Sequence, residues 1–298
     1  MGSRFIVNGI LVVDKPEGLS SNHCLQRAKR LLAADKAGHT GSLDPLACGV
    51  LPLCFGEATK VAQYLLDADK TYHTIVKLGV RTASGDRDGE ILSTREVPHF
   101  TEEQLQQVLN RFRGVIVQQP SIYSALKQNG VPLYKLARAG KEVEAKFREV
   151  HIYQLDLLRW QHPELELRVR CSKGTYIRTL ADDIGEALGT GGHVIHLRRE
   201  QAGPFMLQQS VTLEQLEALV RNDPAAIGSH LLPVDMPLAH LSAVELDTAA
   251  ATALRQGKSL AVDAMPPALV RVYSETGFVG IGEIRNDGRL YPKRLLSY

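Results

Sequence analysis

The sequence of 298 residues predicts an α+β protein, a large mixed body followed by a small β-rich module at the C-terminal end. Three observations carry this expectation. Segments with two-residue apolar alternation, such as 71–80 and 164–171, are interleaved with segments such as 21–32 and 175–188, whose apolar residues recur at helical spacing. A stretch rich in turn formers, NDPAAIGSHLLPVDMPL (222–238), places a domain junction near residue 238. Beyond it, LVRVYSETGFVGIGEIRNDGRLYPKRLL reads as short strands joined by hairpin turns at Glu275-Thr276-Gly277 and Asn286-Asp287-Gly288.

Element by element, Ile10 to Val13 reads as a short buried strand. Ser20, Ser21 or Asn22 can cap a helix that puts Leu25, Ala28, Leu31 and Leu32 on one face, with Arg27, Lys29 and Arg30 elsewhere. In TYHTIVKLGV (71–80), Tyr72, Thr74, Val76 and Leu78 share a strand face, so Tyr72 points inward with the apolar set. Thr101 and Gln104 form a capping-box pattern ahead of Leu105, Val108, Leu109 and Phe112, predicting a helix that runs to Arg113 and stops at Gly114. Residues 147–159 and 164–171 read as a hairpin turning at Gln161-His162-Pro163. A helix over 175–188 carries Ile177, Leu180, Ile184 and Leu188, and a glycine-rich turn leads from it to a strand at HVIHLRR (193–199). Thr212 with Gln215 opens a further helix. There is no internal repeat.

This length suits two domains and a substantial core. No apolar run approaches the roughly 18–20 residues that span a bilayer, and MGSRFIVNG lacks a signal peptide's layout, which makes cytoplasm the default compartment. Cys24, Cys48, Cys54 and Cys171 have no paired spacing and read as small core residues rather than a disulfide framework or zinc site. Net charge is only +2, but its distribution is uneven. Residues 124–148 hold six basic groups (Lys127, Lys135, Arg138, Lys141, Lys146, Arg148) against Glu142 and Glu144, whereas 181–270 hold five basic and eleven acidic groups. A basic face opposite an acidic one would orient a polyanion and make its binding salt dependent, although a solvated lysine and arginine surface has the same composition. Nothing in the sequence indicates an oligomer, and a monomer is the default.

The residues that most invite a chemical explanation lie in GHTGSLDPLACGVL (38–51). Gly38, Gly41 and Gly49 permit tight turns, and Pro45 biases Asp44 away from helical geometry, so such a loop can aim a side chain. It offers no second carboxylate, lysine or Cys-x-x-Cys, and His39 is the one other ionisable group. Paired-carboxylate hydrolysis and zinc ligation are therefore not offered locally. The same residues also fit an ordinary helix cap, with Asp44 at the cap and Pro45 at the first helical position.

Five blocks in one order, GILVVDKPEGLSSN (9–22), AGHTGSLDPLACGVLPLCFGEATK (37–60), DADKTYHTIVKLGVRTASGDRDG (67–89), PSIYSALKQNGVPLYKLARAG (120–140) and CSKGTYIRTLADDIGEALGTGGHVIHLRR (171–199), closely resemble the TruB-type tRNA pseudouridine-55 synthases. The resemblance covers nearly the whole chain and loosens after about residue 235. It implies the pseudouridine synthase fold, built on a mixed and largely antiparallel sheet (residues 1–238, with a basic RNA-binding insertion near 124–148), then a PUA-like RNA-binding domain (239–298). The implied reaction isomerises a uridine in the T loop of tRNA, breaking the bond from C1′ to N1 and rejoining the sugar to C5. It requires no metal and no organic cofactor. In the family the residue matching Asp44 is the nucleophile, ionised at neutral pH without special activation given a carboxyl pKa of about 3.9. Attack at uracil C6 and attack at ribose C1′ both remain open.

The resemblance further implies Arg178 as the carboxylate's partner and Tyr72 as the aromatic that stacks on the flipped base and serves the proton step. Tyr176 and Leu197 correspond to further walls of the pocket, and His39 to a substrate contact. Lys15, Lys60 and the basic region are expected phosphate contacts. Taken alone, Tyr72, Tyr176 and Leu197 would pass for core residues. Two other readings compete. One is an RNA-binding, RNA-folding or ribosome-assembly factor without chemistry, which gains nothing from an anion in its groove. The other is a metal-dependent hydrolase centred on Asp86, Asp88 and Glu90, a cluster that lacks the remaining ligand spacing of an EF-hand and reads as a polar turn. A role in tRNA folding apart from catalysis is not separable by sequence.

Overall fold

The computed structural model describes residues 7–121, 127–128, 130–133, 136, 139, 146–263 and 268–297. Most of the basic region 124–148 lies outside them. The chain opens with β1 (Gly9–Lys15), the helix Ser21–Leu31, β2 (Ala37–His39) and β3 (Cys48–Phe55). Next come β4 (Lys70–Leu78), the small hairpin of β5 (Val80–Thr82) and β6 (Ile91–Thr94), the helix Glu102–Asn110 and β7 (Gly114–Gln118). After the two-residue strands β8 (Lys127–Gln128) and β9 (Val131–Pro132), a long hairpin forms from β10 (Arg148–Gln161) and β11 (Glu164–Cys171). The helix Ile177–Ala187, β12 (Gly192–Ala202), β13 (Phe205–Met206) and the helix Leu213–Asn222 complete the body.

Nine of these strands form one sheet in the order β1-β3-β12-β4-β11-β10-β7, with β2 added to β3 and β13 to β12. Every pairing is antiparallel except that of β3 with β12, where Arg198 and Arg199 lie beside Cys48 and Gly49. This crossover joins the strand after the Asp44 loop to the strand carrying Leu197 and Arg199. Gly49 makes the approach possible: its φ is +101°, and a Cβ there would lie 2.3 Å from the Arg199 carbonyl oxygen.

Helices form where capping and apolar periodicity agree. Ser20 accepts from the His23 amide, and the helix behind it buries Ser21, Cys24, Leu25 and Ala28. Thr101 and Gln104 close both bonds of a capping box, as do Thr212 and Gln215. The Glu102–Asn110 helix ends at Asn110, three residues before the expected Arg113, because Gly114 has already entered β7 with φ +85°. The Ile177–Ala187 helix buries Ile177, Leu180, Ala181 and Ile184 against the sheet, at about 1.5–3 kcal/mol for each large aliphatic side chain. It comes so close to the following turn that a Cβ on Gly185 would sit 2.2 Å from the Gly191 carbonyl carbon.

The C-terminal module has a separate sheet, β14 (Ser242–Glu245), β16 (Ala268–Ser274), β17 (Gly277–Ile284), β18 (Arg289–Leu295) and the short β15 (Leu260–Ala261), in the order β14-β16-β17-β18-β15. The helix Thr248–Arg255, capped by Asp247, packs on it through Ala251 and Leu254. Both hairpin turns fall where the sequence puts them. The module docks on the back of β1 and β3, where Ile281 and Leu296 join a core with Ile10, Val12, Val50, Cys54 and Phe205. Among the described residues, no helix is long and apolar enough to cross a membrane.

Candidate active site

Asp44 does not cap a helix. Its carbonyl oxygen accepts from the Ala47 amide in a single turn, and the chain then enters β3. The loop before β3 is clamped at nearly every residue. The buried Ser21 hydroxyl donates to the Leu43 carbonyl oxygen at 3.0 Å and accepts from the Leu43 amide at 2.7 Å. The Gly18 amide donates to the Pro45 carbonyl oxygen at 2.8 Å. From β12, Arg199 donates through Nη2 to the Gly41 carbonyl oxygen at 2.9 Å and through Nε to that of Val50 at 2.7 Å, gripping both ends. These bonds fix where the carboxylate points.

That carboxylate meets Arg178, whose Nε lies 2.9 Å from Asp44 Oδ2. The Arg178 side chain is only 4% exposed, whereas Asp44 keeps 41% of its side-chain surface at the mouth of a cavity of about 300 Å³. On its other side Arg178 faces Asp86, with Nη1 at 3.4 Å from Oδ2, and donates from Nη1 to the Ser84 carbonyl oxygen at 2.7 Å. Asp86 in turn accepts from the Ser84 hydroxyl and, at 3.2 Å, from the Asp88 amide. One buried guanidinium therefore bridges two carboxylates, of which only Asp44 opens to solvent. Burial pushes the Asp44 carboxyl above its usual pKa and Asp86 adds to the rise, while Arg178 and Lys15 oppose it.

The sequence reading takes SGDRDGE as a polar turn and so misses Asp86 as part of the site. The turn is real, but Asp86 is 6% exposed and committed to Arg178. Of the three carboxylates in the cation-loop alternative, Asp86 is thus already paired with a guanidinium. Among the described residues no group of three or more His, Cys, Asp or Glu side chains could hold a metal ion.

Tyr72 lies on β4 beside Arg199 of β12 and Val169 of β11, packed partly against the main core to which Leu197 also belongs. Burial raises the pKa of its phenol; Arg199 opposes the rise by charge and hydrogen bonding, while Cys171 and Asp44 add to it. Tyr176 is the cap residue of the helix that carries Arg178. Its backbone is held from both sides by the fully buried Gln118, which accepts from the Tyr176 amide at 3.0 Å and donates to its carbonyl oxygen at 3.2 Å. His39 ends β2, and its Nδ1 is buried with no hydrogen-bond partner among the described residues. Burial and Arg199 lower its pKa, favouring a neutral imidazole. Asp44 and Arg178 thus meet directly, with Tyr72 within electrostatic reach. Tyr72, Tyr176, Leu197 and His39 do not line the cavity at Asp44.

One expectation, the phosphate contact at Lys15, needs correction. Lys15 is fully buried and donates from Nζ to the carbonyl oxygens of Leu19 at 2.6 Å, Pro16 at 2.9 Å and Pro45 at 3.5 Å. Burial pulls its pKa down to about 8. It braces the Asp44 loop from beneath and has no surface to offer a phosphate. Lys60 pairs with Glu57 at 2.7 Å and donates to the Leu295 carbonyl oxygen at 2.9 Å and the Ser297 hydroxyl at 3.1 Å, tying the C-terminal module to the body.

Comparison with known proteins places the chain in a family. Residues 29–177 match the family described as TruB family pseudouridylate synthase (N terminal domain). Residues 178–239 match the tRNA pseudouridylate synthase B C-terminal domain, and 242–296 match Pseudouridine synthase II TruB, C-terminal. The chain belongs to the TruB family of pseudouridylate synthases. Among curated relatives, tRNA pseudouridine synthase B of Pseudomonas paraeruginosa (strain DSM 24068 / PA7) is 53% identical over 296 residues, 98% of this chain and 97% of that protein. The protein of the same name from Coxiella burnetii (strain RSA 493 / Nine Mile phase I) is 51% identical over 294 residues, 98% and 95% of the two chains. In a solved H/ACA RNP bound to a substrate RNA containing 2′-deoxyuridine, one chain superposes with a TM-score of 0.75 at 26% identity, covering 98% of this chain and 86% of that one. This TruB-family chain is therefore an enzyme, an isomerase that makes pseudouridine, on the pseudouridine synthase fold with a C-terminal PUA-like module.

Proposed function

We propose that this enzyme isomerises uridine 55 in the T loop of tRNA, with Asp44 as the nucleophile. Its relatives' names supply the tRNA substrate. The observation that carries the mechanism is the ion pair at 2.9 Å between the half-exposed Asp44 carboxylate and the buried Arg178. Arg178 opposes the rise that burial imposes on the carboxyl's pKa, and its guanidinium fixes the carboxylate's direction. Asp86 fixes Arg178.

In this reading the target uridine leaves the loop for the pocket, at a cost of about a few kcal/mol in lost stacking. Asp44 attacks either uracil C6 or ribose C1′, and the bond from C1′ to N1 breaks. The detached base turns between Tyr72, Tyr176 and Leu197, C5 bonds to C1′, and the bond to Asp44 breaks, regenerating the free carboxylate. The Tyr72 oxygen takes the proton from C5 as the phenol's own proton passes to solvent, while N1 gains one, so the atoms balance without an external donor. His39, neutral and half-buried, contacts the substrate at the loop. Residues 1–238 form the catalytic domain, and the module from 239 holds the RNA by shape and backbone contacts, in the cytoplasm.

The test is to incubate an unmodified tRNA transcript with the enzyme and map pseudouridine by carbodiimide modification and primer extension. A single new stop reporting position 55 is expected. A stop elsewhere, or none, overturns the assignment.

A further inference from the structure

Arg199 is among the largest fully buried side chains of the protein, at 1% exposure. A guanidinium so deep in the fold costs several kcal/mol unless anions or well-directed acceptors compensate it. Among the described residues no carboxylate stands within ion-pair distance of it. Its acceptors are neutral, the carbonyl oxygens of Gly41 and Val50 on either side of Asp44, and it stands directly opposite Tyr72 across the β4–β12 pair. Gly41 leaves room for this, since a Cβ there would already touch Nη1 at 3.5 Å.

We propose that Arg199 is a positioning residue whose single guanidinium sets the Asp44 loop and the Tyr72 hydroxyl in one fixed relation. The inference rests on the proposed roles of Asp44 and Tyr72. Its chemistry follows from donor direction: a guanidinium has five N–H groups and no acceptor. Opposite Tyr72, it can offer the phenol oxygen only a donor and a positive charge. When Tyr72 gives up that proton, the cation stands against the resulting phenolate, which the other groups facing it, Cys171 on β11 and Asp44 on the loop, do not favour. The same side chain holds the nucleophile's loop, so both halves of the reaction share one buried charge.

The test places a fluorotyrosine at position 72, whose lower intrinsic pKa brings its titration into the range where the enzyme is folded, and follows it by fluorine NMR without RNA. Arg199→Met is expected to raise the titration midpoint by about one pH unit, as loss of a nearby opposite charge does. In the otherwise native enzyme Arg199→Met should slow single-turnover isomerisation about 100-fold with RNA affinity unchanged, as misplaced reacting groups do. The alkaline limb of its pH profile should move upward as well. Arg199→Lys keeps the charge but cannot bond the Gly41 and Val50 carbonyl oxygens at once, so its midpoint stays near wild type while its rate still falls. An unmoved midpoint in Arg199→Met overturns the proposal, and so does a wild-type rate in Arg199→Lys, which serves alone if the methionine variant does not fold. Tyr72→Phe separates the two layers. Wild-type activity in that variant would remove Tyr72 from the chemistry, while the NMR midpoints would still report whether Arg199 governs its phenol.

Discussion

Replacing Asp86 by asparagine tests whether Arg178 needs its second carboxylate. At 3.4 Å, Nη1 and Oδ2 attract by about 5 kcal/mol at an effective dielectric constant of about 20. Removing one partner of a buried pair generally costs about 3–5 kcal/mol. The new amide would still accept from Ser84 and the Asp88 amide, and Arg178 would keep Asp44, so the expected loss is about 2–3 kcal/mol. Denaturant unfolding reads that loss. Arg178 is then held from one side only, and single-turnover isomerisation should fall about 10–100-fold, since each 1.36 kcal/mol is a decade. The pH dependence has the opposite sense. Asp86 helps to raise the Asp44 pKa, and the nucleophile must be ionised, so the acid limb of the rate profile should move to lower pH in Asp86→Asn. Activity within about twofold of wild type, with an unmoved acid limb, would refute the argument that Asp86 anchors the catalytic arginine.

Other sites give further expectations. Ser21→Ala removes both bonds to Leu43 and should cost about 1–3 kcal/mol in stability and slow isomerisation without weakening RNA binding, read by thermal melting and single-turnover rates. Gly49→Ala forces a Cβ to 2.3 Å from the Arg199 carbonyl oxygen at φ +101° and should destabilise by more than about 2 kcal/mol, read by the melting temperature. Gln118→Ala removes two hydrogen bonds to the Tyr176 backbone, and its rate constant should fall more than its RNA affinity, measured by single-turnover kinetics beside filter binding.

The elements with local signals were legible. Capping boxes at Thr101 and Thr212, strand alternation through Tyr72 to Leu78, and the turns at Gly277 and Gly288 are each written within a few residues. β3 was hidden because CGVLPLCF is buried along its whole length, so no alternation marks it, and it contains a proline. In the site, Asp44 stood out because a carboxylate in a glycine-rich loop has few local partners. Asp86, Gln118, Ser21 and Arg199 did not, because each acts through a partner far away in sequence. The signal available was the polar residue itself, at a position whose burial depends on tertiary packing. The two lysines show the same limit: Lys15 closes an apolar strand and finds three carbonyl oxygens inside, and Lys60 finds the C-terminal strand.

The central claim is that the Asp44 carboxylate performs cofactor-free isomerisation. Tritium release from a T-arm RNA carrying [5-³H]uridine, measured in EDTA for wild type and Asp44→Asn with RNA binding checked for both, tests it most directly. Release by the wild type alone, with equal binding by both proteins, is the expected result. Equal release from Asp44→Asn would contradict the account and place the nucleophile elsewhere.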